Sequence, residues 1–164
     1  MPCDREEGFV DLERDGHRWI YLVPMRVRFA ETDANRHVSQ ASYVLYFEDA
    51  RTRFLEAMAR RLGDESGNTF SWWGQGSSTV IVNQFVEYVR PAFYGQWLLV
   101  LVRPERVGRS SLDLAYLIVP CDRDQEVLTR GTTRVVRIDA ASGHSLPWPP
   151  AFAPAVAALM GREP

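Results

Sequence analysis

The spacing of hydrophobic residues changes along the chain and marks out its elements. Apolar residues alternate with other residues over positions 19–29, which is the period of a β-strand. Pro24 lies inside this run and indicates an edge position or a bulge, because proline cannot donate to a strand ladder. Over residues 40–61 the apolar positions recur every three or four residues, and no glycine or proline interrupts before Gly63. This spacing predicts a long helix, with Ser39 as its N-cap.

The second half of the chain has the pattern of antiparallel strands. Short polar breaks separate its β-like runs, which indicates hairpins and not crossover connections. The four runs cover residues 79–90, 96–107, 111–120 and 126–138. A short terminal helix is predicted over residues 151–160.

The order of elements predicts an α+β protein. The simplest packing wraps a curved antiparallel sheet of about five strands, the last four forming a meander, around the one long helix. Residues 1–17 are charged and aperiodic, and we interpret them as a loose lead-in to a single domain over residues 18–164. The loop of residues 63–78 carries Phe70, Trp72 and Trp73, which we expect to be core or dimer contacts unless they line a binding pocket.

Composition excludes several classes of partner and chemistry. The 164 residues carry a net charge of −2, which gives no reason to expect nucleic acid or an anionic membrane as partner. The longest apolar run, residues 97–102, is too short to span a bilayer, and the acidic N-terminus does not resemble a signal peptide. We therefore expect a cytoplasmic protein.

The basic and metal-binding residues narrow the chemistry further. All 19 basic residues are arginine, so Schiff-base, pyridoxal phosphate and P-loop chemistry lack the lysine that they need. Cys3 and Cys121 lie far apart without a Cys-x-x-Cys motif, so we expect neither a disulfide framework nor a thiolate zinc site. The three histidines are scattered, and no metal site is expected.

One acidic residue stands at the junction of the first strand and the long helix. Asp33 precedes the helix by a few residues, and the start of a helix offers unpaired N–H groups and a positive dipole end. A carboxylate beside a site for an oxyanion is the arrangement that acyl transfer requires. Asp33 could instead be a turn or capping residue, since aspartate is common there.

Three segments in order resemble the hot-dog fold thioesterases of the hydroxybenzoyl-CoA thioesterase family. They begin at Arg28, Glu87 and Val107 and read as follows: Arg28-Phe-x-Glu-Thr-Asp33-Ala-x-x-His37-Val38 with Ala41-x-Tyr43 and Tyr46-Phe47-Glu48-x-Ala50-Arg51; Glu87-Tyr88-x-Arg90-Pro91-Ala92; and Val107-Gly108-Arg109-Ser110-Ser111. The resemblance covers about residues 25–140. It implies a hydrolase of acyl-CoA or acyl-carrier-protein thioesters, working as a homodimer or homotetramer.

The resemblance also implies roles for individual residues. Asp33 would be the catalytic carboxylate, as base or nucleophile, and a backbone N–H near Gln40 would polarise the thioester carbonyl. His37 is expected to position the loop. Glu48 is the alternative carboxylate, although an ion pair with Arg51 is its simpler interpretation.

Further residues are candidates for substrate contacts. Coenzyme A would be part of the substrate, and no cofactor is expected. Because the chain has no lysine, arginine side chains would have to bind the phosphates of coenzyme A. The candidates are Tyr43, Trp72, Trp73, Arg90, Arg106 and Arg109. Two departures concern substrate class: Arg36 stands where the family commonly has glycine, and Ser39-Gln40 follows the His-Val pair.

Two other functions remain open at this point. A hot-dog hydratase or dehydratase would pair an aspartate with a histidine, but Asp33 and His37 are four residues apart and no proline lies between them. The other alternative is a non-catalytic acyl-CoA-binding protein, against which the presence of Asp33 argues.

Because a curved sheet around one helix leaves edge strands uncovered, we expect at least a homodimer with the acyl site at its interface.

Overall fold

The computed structural model describes residues 3–63, 76–123 and 125–161. A one-turn 3-10 helix, Phe29–Glu31, lies between the second strand and the long helix. In chain order the strands and α-helices are β1 Gly8–Arg14, β2 His17–Arg26, α1 Gln40–Arg61, β3 Ser77–Tyr88, β4 Trp97–Val107, β5 Ser111–Pro120, β6 Thr129–Asp139 and α2 Phe152–Leu159.

Helix α1 begins and ends where the sequence predicts. Its N-cap Ser39 accepts a hydrogen bond from the Ser42 N–H at 3.3 Å. Two arginines in the last turn suit the negative end of the helix dipole, and the chain then leaves the helix through Gly63, whose φ of +89° favours glycine. The prediction of this helix is confirmed.

The strands form one antiparallel sheet in the order β1-β2-β4-β5-β6-β3. The α+β hot-dog architecture is confirmed, with six strands where about five were expected. The predicted meander is wrong at its first strand, because β3 pairs with β6 and lies at the edge, away from β4. The alternation of apolar and polar residues predicts that β3 is a strand, but it does not determine which strand β3 pairs with.

The first seventeen residues are not a loose lead-in, and that prediction is wrong for β1. This strand pairs with β2 from Gly8 opposite Leu22 to Arg14 opposite His17, with an irregular register after Phe9. Its short apolar alternation was hidden by charged neighbours. Pro24 lies beyond the last paired residue of β1, where β2 has a neighbour on one side only, as proline requires.

Apolar clusters cover both faces of the sheet. The larger lies between α1 and the sheet and includes Phe47, Phe54 and Tyr116, all fully buried. The second lies on the opposite face around Trp19 and Leu117, and the N-terminal residues of the chain pack against it. The sheet is therefore buried on its outer face as well, by the segment that contains β1.

A disulfide joins Cys3 to Cys121, with 5.9 Å between their Cα atoms. The expectation that these cysteines form no disulfide framework did not foresee this bond, which forms because β1 brings the N-terminus to the end of β5. Among the described residues, no helix has the length and apolarity needed to span a membrane.

Candidate active site

The backbone of the strand-to-helix loop holds the carboxylate of Asp33. Its Oδ1 accepts hydrogen bonds from the N–H groups of Asn35 at 2.8 Å and His37 at 3.2 Å. The Asp33 N–H donates to the His37 carbonyl at 2.8 Å, which closes the loop. The side chain is exposed, so Asp33 is fixed in direction and accessible to a substrate.

Arg36 occupies the tightest point of this loop. Its φ is +63°, in the left-handed region that favours glycine, and its N–H donates to the Asp33 carbonyl at 3.0 Å. Arg36, at a position where the family commonly has glycine, therefore holds a backbone conformation that is unfavourable for arginine.

A buried glutamate, Glu31, anchors the loop to α1. Its carboxylate accepts hydrogen bonds from the Tyr46 hydroxyl at 2.7 Å and from the N–H and Nε of Arg28, both at 2.8 Å. Its carbonyl accepts from the Ser39 N–H at 2.8 Å and the Ser42 hydroxyl at 2.9 Å. Burial raises the pKa of Glu31, but these hydrogen bonds to its carboxylate outweigh burial and hold the pKa below its ordinary value.

Sequence reasoning missed this anchor. The Arg28-x-x-Glu31 spacing was visible, but the partner hydroxyl of Tyr46 lies fifteen residues away on the helix. Only the fold brings the two side chains together.

Asp33 and the start of α1 share one cavity of about 300 Å³. Five residues singled out from the sequence line it: Asp33, His37, Gln40, Tyr43 and Arg90. Val38, Tyr88, Val89 and Pro91 complete the lining. Gln40 is the first residue of α1, where N–H groups have no partner within the helix. The cavity therefore combines a carboxylate with hydrogen-bond donors for a carbonyl oxygen.

The aromatic side chains of the cavity are held by the end of β3 and by the connection between β3 and β4. The buried Tyr43 hydroxyl accepts a hydrogen bond from the Ala92 N–H at 3.1 Å, and burial raises the pKa of Tyr43. Tyr43 packs edge-on against Tyr88, with ring centroids 5.4 Å apart. The His37 ring lies edge-on against Phe93 at 5.3 Å, and the two residues also form an isolated β-bridge. These contacts fit a positioning role for His37.

The remaining candidates lie elsewhere. Glu48 is exposed on α1 and does not line the cavity. It forms no ion pair with Arg51, which is buried, so the expected helical pair is absent within the described part of the chain. Arg106 and Arg109 lie near the β4–β5 turn, away from the cavity lining. Trp72 and Trp73, with Phe70, lie outside the described residues.

Arg90 lines the cavity and also pairs with Glu126 at 2.8 Å. Any contact with a substrate phosphate would compete with this exposed ion pair, which costs little to break. Across residues 3–63, 76–123 and 125–161, no group of three or more His, Cys, Asp or Glu side chains is arranged to hold a metal ion.

Comparison with known proteins identifies the family. The model of the thioesterase-like superfamily matches residues 27–156, a stretch that includes the whole cavity. The chain belongs to the thioesterase-like superfamily. The identification of the chain as a hot-dog thioesterase is thereby confirmed, while its placement near the hydroxybenzoyl-CoA enzymes stays a prediction.

Three proteins illustrate the relationship of this thioesterase to known members. A 1,4-dihydroxy-2-naphthoyl-CoA hydrolase from Nostoc punctiforme is 30% identical over 116 residues, which are 71% of this chain and 72% of that protein. A Thermus thermophilus thioesterase, solved with coenzyme A and zinc, is 30% identical with a TM-score of 0.66, covering 87% of this chain and 95% of that one. A thioesterase-superfamily structure from Jannaschia sp. CCS1 has a TM-score of 0.75 at 21% identity, covering 88% and 85%.

Proposed function

We propose that this thioesterase hydrolyses acyl-CoA thioesters in the Asp33 cavity. The observation that carries the proposal is that the Asp33 carboxylate and the first residue of α1, Gln40, line the same cavity. The Nostoc relative acts on an aromatic acyl-CoA and the Thermus structure contains coenzyme A, which supports a CoA thioester over an acyl-carrier-protein substrate.

The reaction follows from this geometry. The thioester carbonyl oxygen accepts a hydrogen bond from the Gln40 N–H, where the helix dipole stabilises the negative charge that develops. Asp33 takes a proton from a water molecule whose oxygen bonds to the carbonyl carbon. The carbon–sulfur bond then breaks, the proton passes to the departing thiolate, and the products are a free acid and coenzyme A. A direct attack by Asp33 would give the same products through an anhydride.

Replacement of Asp33 tests the mechanism. Asp33→Asn should lower the rate of thiol release at least ~100-fold, since a positioned base contributes about that much or more. Glu48→Gln, at an exposed carboxylate of α1 outside the cavity, is the matched control and should retain activity within a few-fold. Activity of Asp33→Asn close to wild type would contradict the assignment.

A second readout separates hydrolysis from the other two functions. The protein is incubated with crotonyl-CoA and with saturated and aromatic acyl-CoAs, and thiol release and enoyl absorbance are followed together. Thiol release supports the hydrolase. Loss of enoyl absorbance without thiol would indicate a hydratase that uses His37, and binding without either signal would indicate a sensor.

We also propose that the active form is a homodimer joined at β3. This edge strand exposes Val80, Ile81, Val82 and Phe85, with 41%, 43%, 57% and 64% of their surfaces accessible. An exposed apolar edge favours pairing with a second strand. Tyr88, the last residue of β3, lines the Asp33 cavity, so the interface would adjoin the site. Val82→Lys should dissociate the dimer, as measured by light scattering. A wild-type protein that is fully active as a monomer would refute the proposed dimer.

A further inference from the structure

One carbonyl group joins the two ends of the strand-to-helix loop. The Glu31 carbonyl accepts hydrogen bonds from the Ser39 N–H at 2.8 Å and from the Ser42 hydroxyl at 2.9 Å. Asp33 follows Glu31 by two residues, and Gln40 comes directly after Ser39. The carboxylate and the helix N–H that the proposed reaction needs therefore both lie within two residues of the hydrogen bond that closes the loop.

The carboxylate of Glu31 holds the same residue against α1. Its Oε2 accepts a hydrogen bond from the Tyr46 hydroxyl at 2.7 Å. Ser39, Ser42 and Tyr46 are spaced by three and four positions, so they share one face at the start of the helix. Glu31 is thereby bound at three successive points along this face, and its place relative to the start of α1 is fixed.

The two side chains that bind the Glu31 carboxylate differ in their exposure. The Arg28 side chain is 80% exposed, so water replaces its ion pair with Glu31 at little cost. Tyr46 is 5% exposed, and loss of its hydroxyl would leave the buried Oε2 with the Arg28 N–H as its remaining donor in the described part of the chain. The place of Glu31 therefore depends most on Tyr46.

A displacement of Glu31 would reach the reacting groups. Because Asp33 Oδ1 accepts hydrogen bonds from the N–H groups of Asn35 and His37, the carboxylate moves with the loop. A shift at the Glu31 end of the loop therefore changes the distance from the carboxylate to Gln40. A misplacement of about 1 Å can lower an enzymatic rate about 100-fold.

We propose that Glu31 and Tyr46 are positioning residues for thioester hydrolysis, and that their hydrogen bond fixes the spacing between the Asp33 carboxylate and the Gln40 N–H. This inference rests on the proposed function, because it takes those two groups as the ones that act on the thioester. Neither Glu31 nor Tyr46 lines the cavity, so their loss affects kcat and not substrate binding.

The kinetic test compares two buried tyrosines that each donate to a glutamate. Tyr46→Phe removes the hydrogen bond to Glu31. Tyr21→Phe is the matched control, because Tyr21 is 2% exposed, lies outside the cavity and donates to Glu7 at 2.9 Å. Tyr46→Phe should lower kcat about tenfold and leave KM within about twofold, whereas Tyr21→Phe should change neither. An unchanged kcat in Tyr46→Phe, or equal losses in the two variants, would overturn the proposal.

A double-mutant cycle tests whether the two residues act as a unit. Glu31→Gln keeps the size of the side chain, removes its charge and should also lower kcat. The double variant with Tyr46→Phe should lose less than the product of the two single losses, and losses that multiply would contradict a shared role. If Tyr46→Phe does not fold, Glu31→Gln carries the same kinetic test, with Glu7→Gln as its control.

Amide hydrogen exchange separates this inference from the proposed function. The N–H groups of Asn35, His37 and Ser39 should exchange faster in Tyr46→Phe than in wild type, and at the wild-type rate in Tyr21→Phe. Unchanged exchange in Tyr46→Phe would refute the positioning role even in an active hydrolase. Faster exchange in a protein that releases no thiol from any acyl-CoA would contradict the hydrolase assignment, while the link from Tyr46 to the loop stands.

Discussion

A single methyl group at Gly131 should destabilise the interface between α1 and the sheet. Gly131 lies in the middle of β6, and a Cβ placed there would lie 2.7 Å from Phe47 Cζ and 3.0 Å from the Phe85 carbonyl oxygen. Its backbone is outside the left-handed region, so alanine introduces no conformational strain of its own. The cost of Gly131→Ala therefore comes from overpacking alone.

The contacts of Phe47 determine the magnitude. Its ring is fully buried and stacks on Tyr116 at 4.5 Å, so it cannot move aside without disturbing that pair. The backbone carbonyl of Phe85 cannot rotate away either. Overpacking of this kind costs about 1–3 kcal/mol, and we expect about 2 kcal/mol for Gly131→Ala. For a domain of this size, that lowers Tm by roughly 4–8 °C.

Urea denaturation measures the effect, with a lower midpoint and an unchanged m-value expected. Gly108→Ala is the matched control, because its backbone is also outside the left-handed region and only the mobile hydroxyl of Ser111 stands close. Phe47→Leu combined with Gly131→Ala should cost less than the sum of the two single changes. A neutral or stabilising Gly131→Ala would refute the packing argument.

Three further outcomes follow from the loop and the N-terminus. Arg36→Val should be about 1 kcal/mol less stable than Arg36→Gly in urea denaturation, since φ is +63° there. Because the pKa of Glu31 is lowered in the folded state, its stabilisation is complete above its unfolded pKa, near 4.5, and is lost as pH falls through its folded pKa. Glu31→Gln should therefore flatten the fall of Tm on acidification, and an unchanged acid limb would contradict this. Cys3→Ser should lower Tm under oxidising conditions, by the equivalent of about 2–4 kcal/mol, and leave it unchanged under reducing ones.

Local patterns predicted the elements because each has its own short period. The helix at residues 40–61 and its Ser39 cap were visible since capping and amphipathicity act within a few residues. The assignment to the thioesterases rested on three motif segments in their order along the chain, and not on the hydrophobic periodicity. The sequence identifies five of the residues that line the cavity, because four of them lie in one motif. They are Asp33, His37, Gln40, Tyr43 and Arg90.

Contacts between distant parts of the chain could not be predicted in the same way. Strand β3 pairs with β6 and not with β4, and β1 forms in a segment whose charged residues concealed its three apolar positions. Cys3 forms a disulfide with Cys121 only because β1 brings the N-terminus to the end of β5. Such pairings depend on which surfaces the whole sheet leaves uncovered.

Arg51 is the clearest example of a residue whose environment was decided by the tertiary structure and not by the local sequence. From the sequence, its spacing from Glu48 indicated an exposed ion pair, since residues three apart on a helix are neighbours. The fold buries Arg51 and leaves Glu48 in solvent, so the two charges do not pair although their positions are neighbours on the helix. The sequence alone determined that a helix with these charges forms. Which of its faces is buried, and therefore which charge must find a partner in the interior, was decided by the packing of that helix on the sheet.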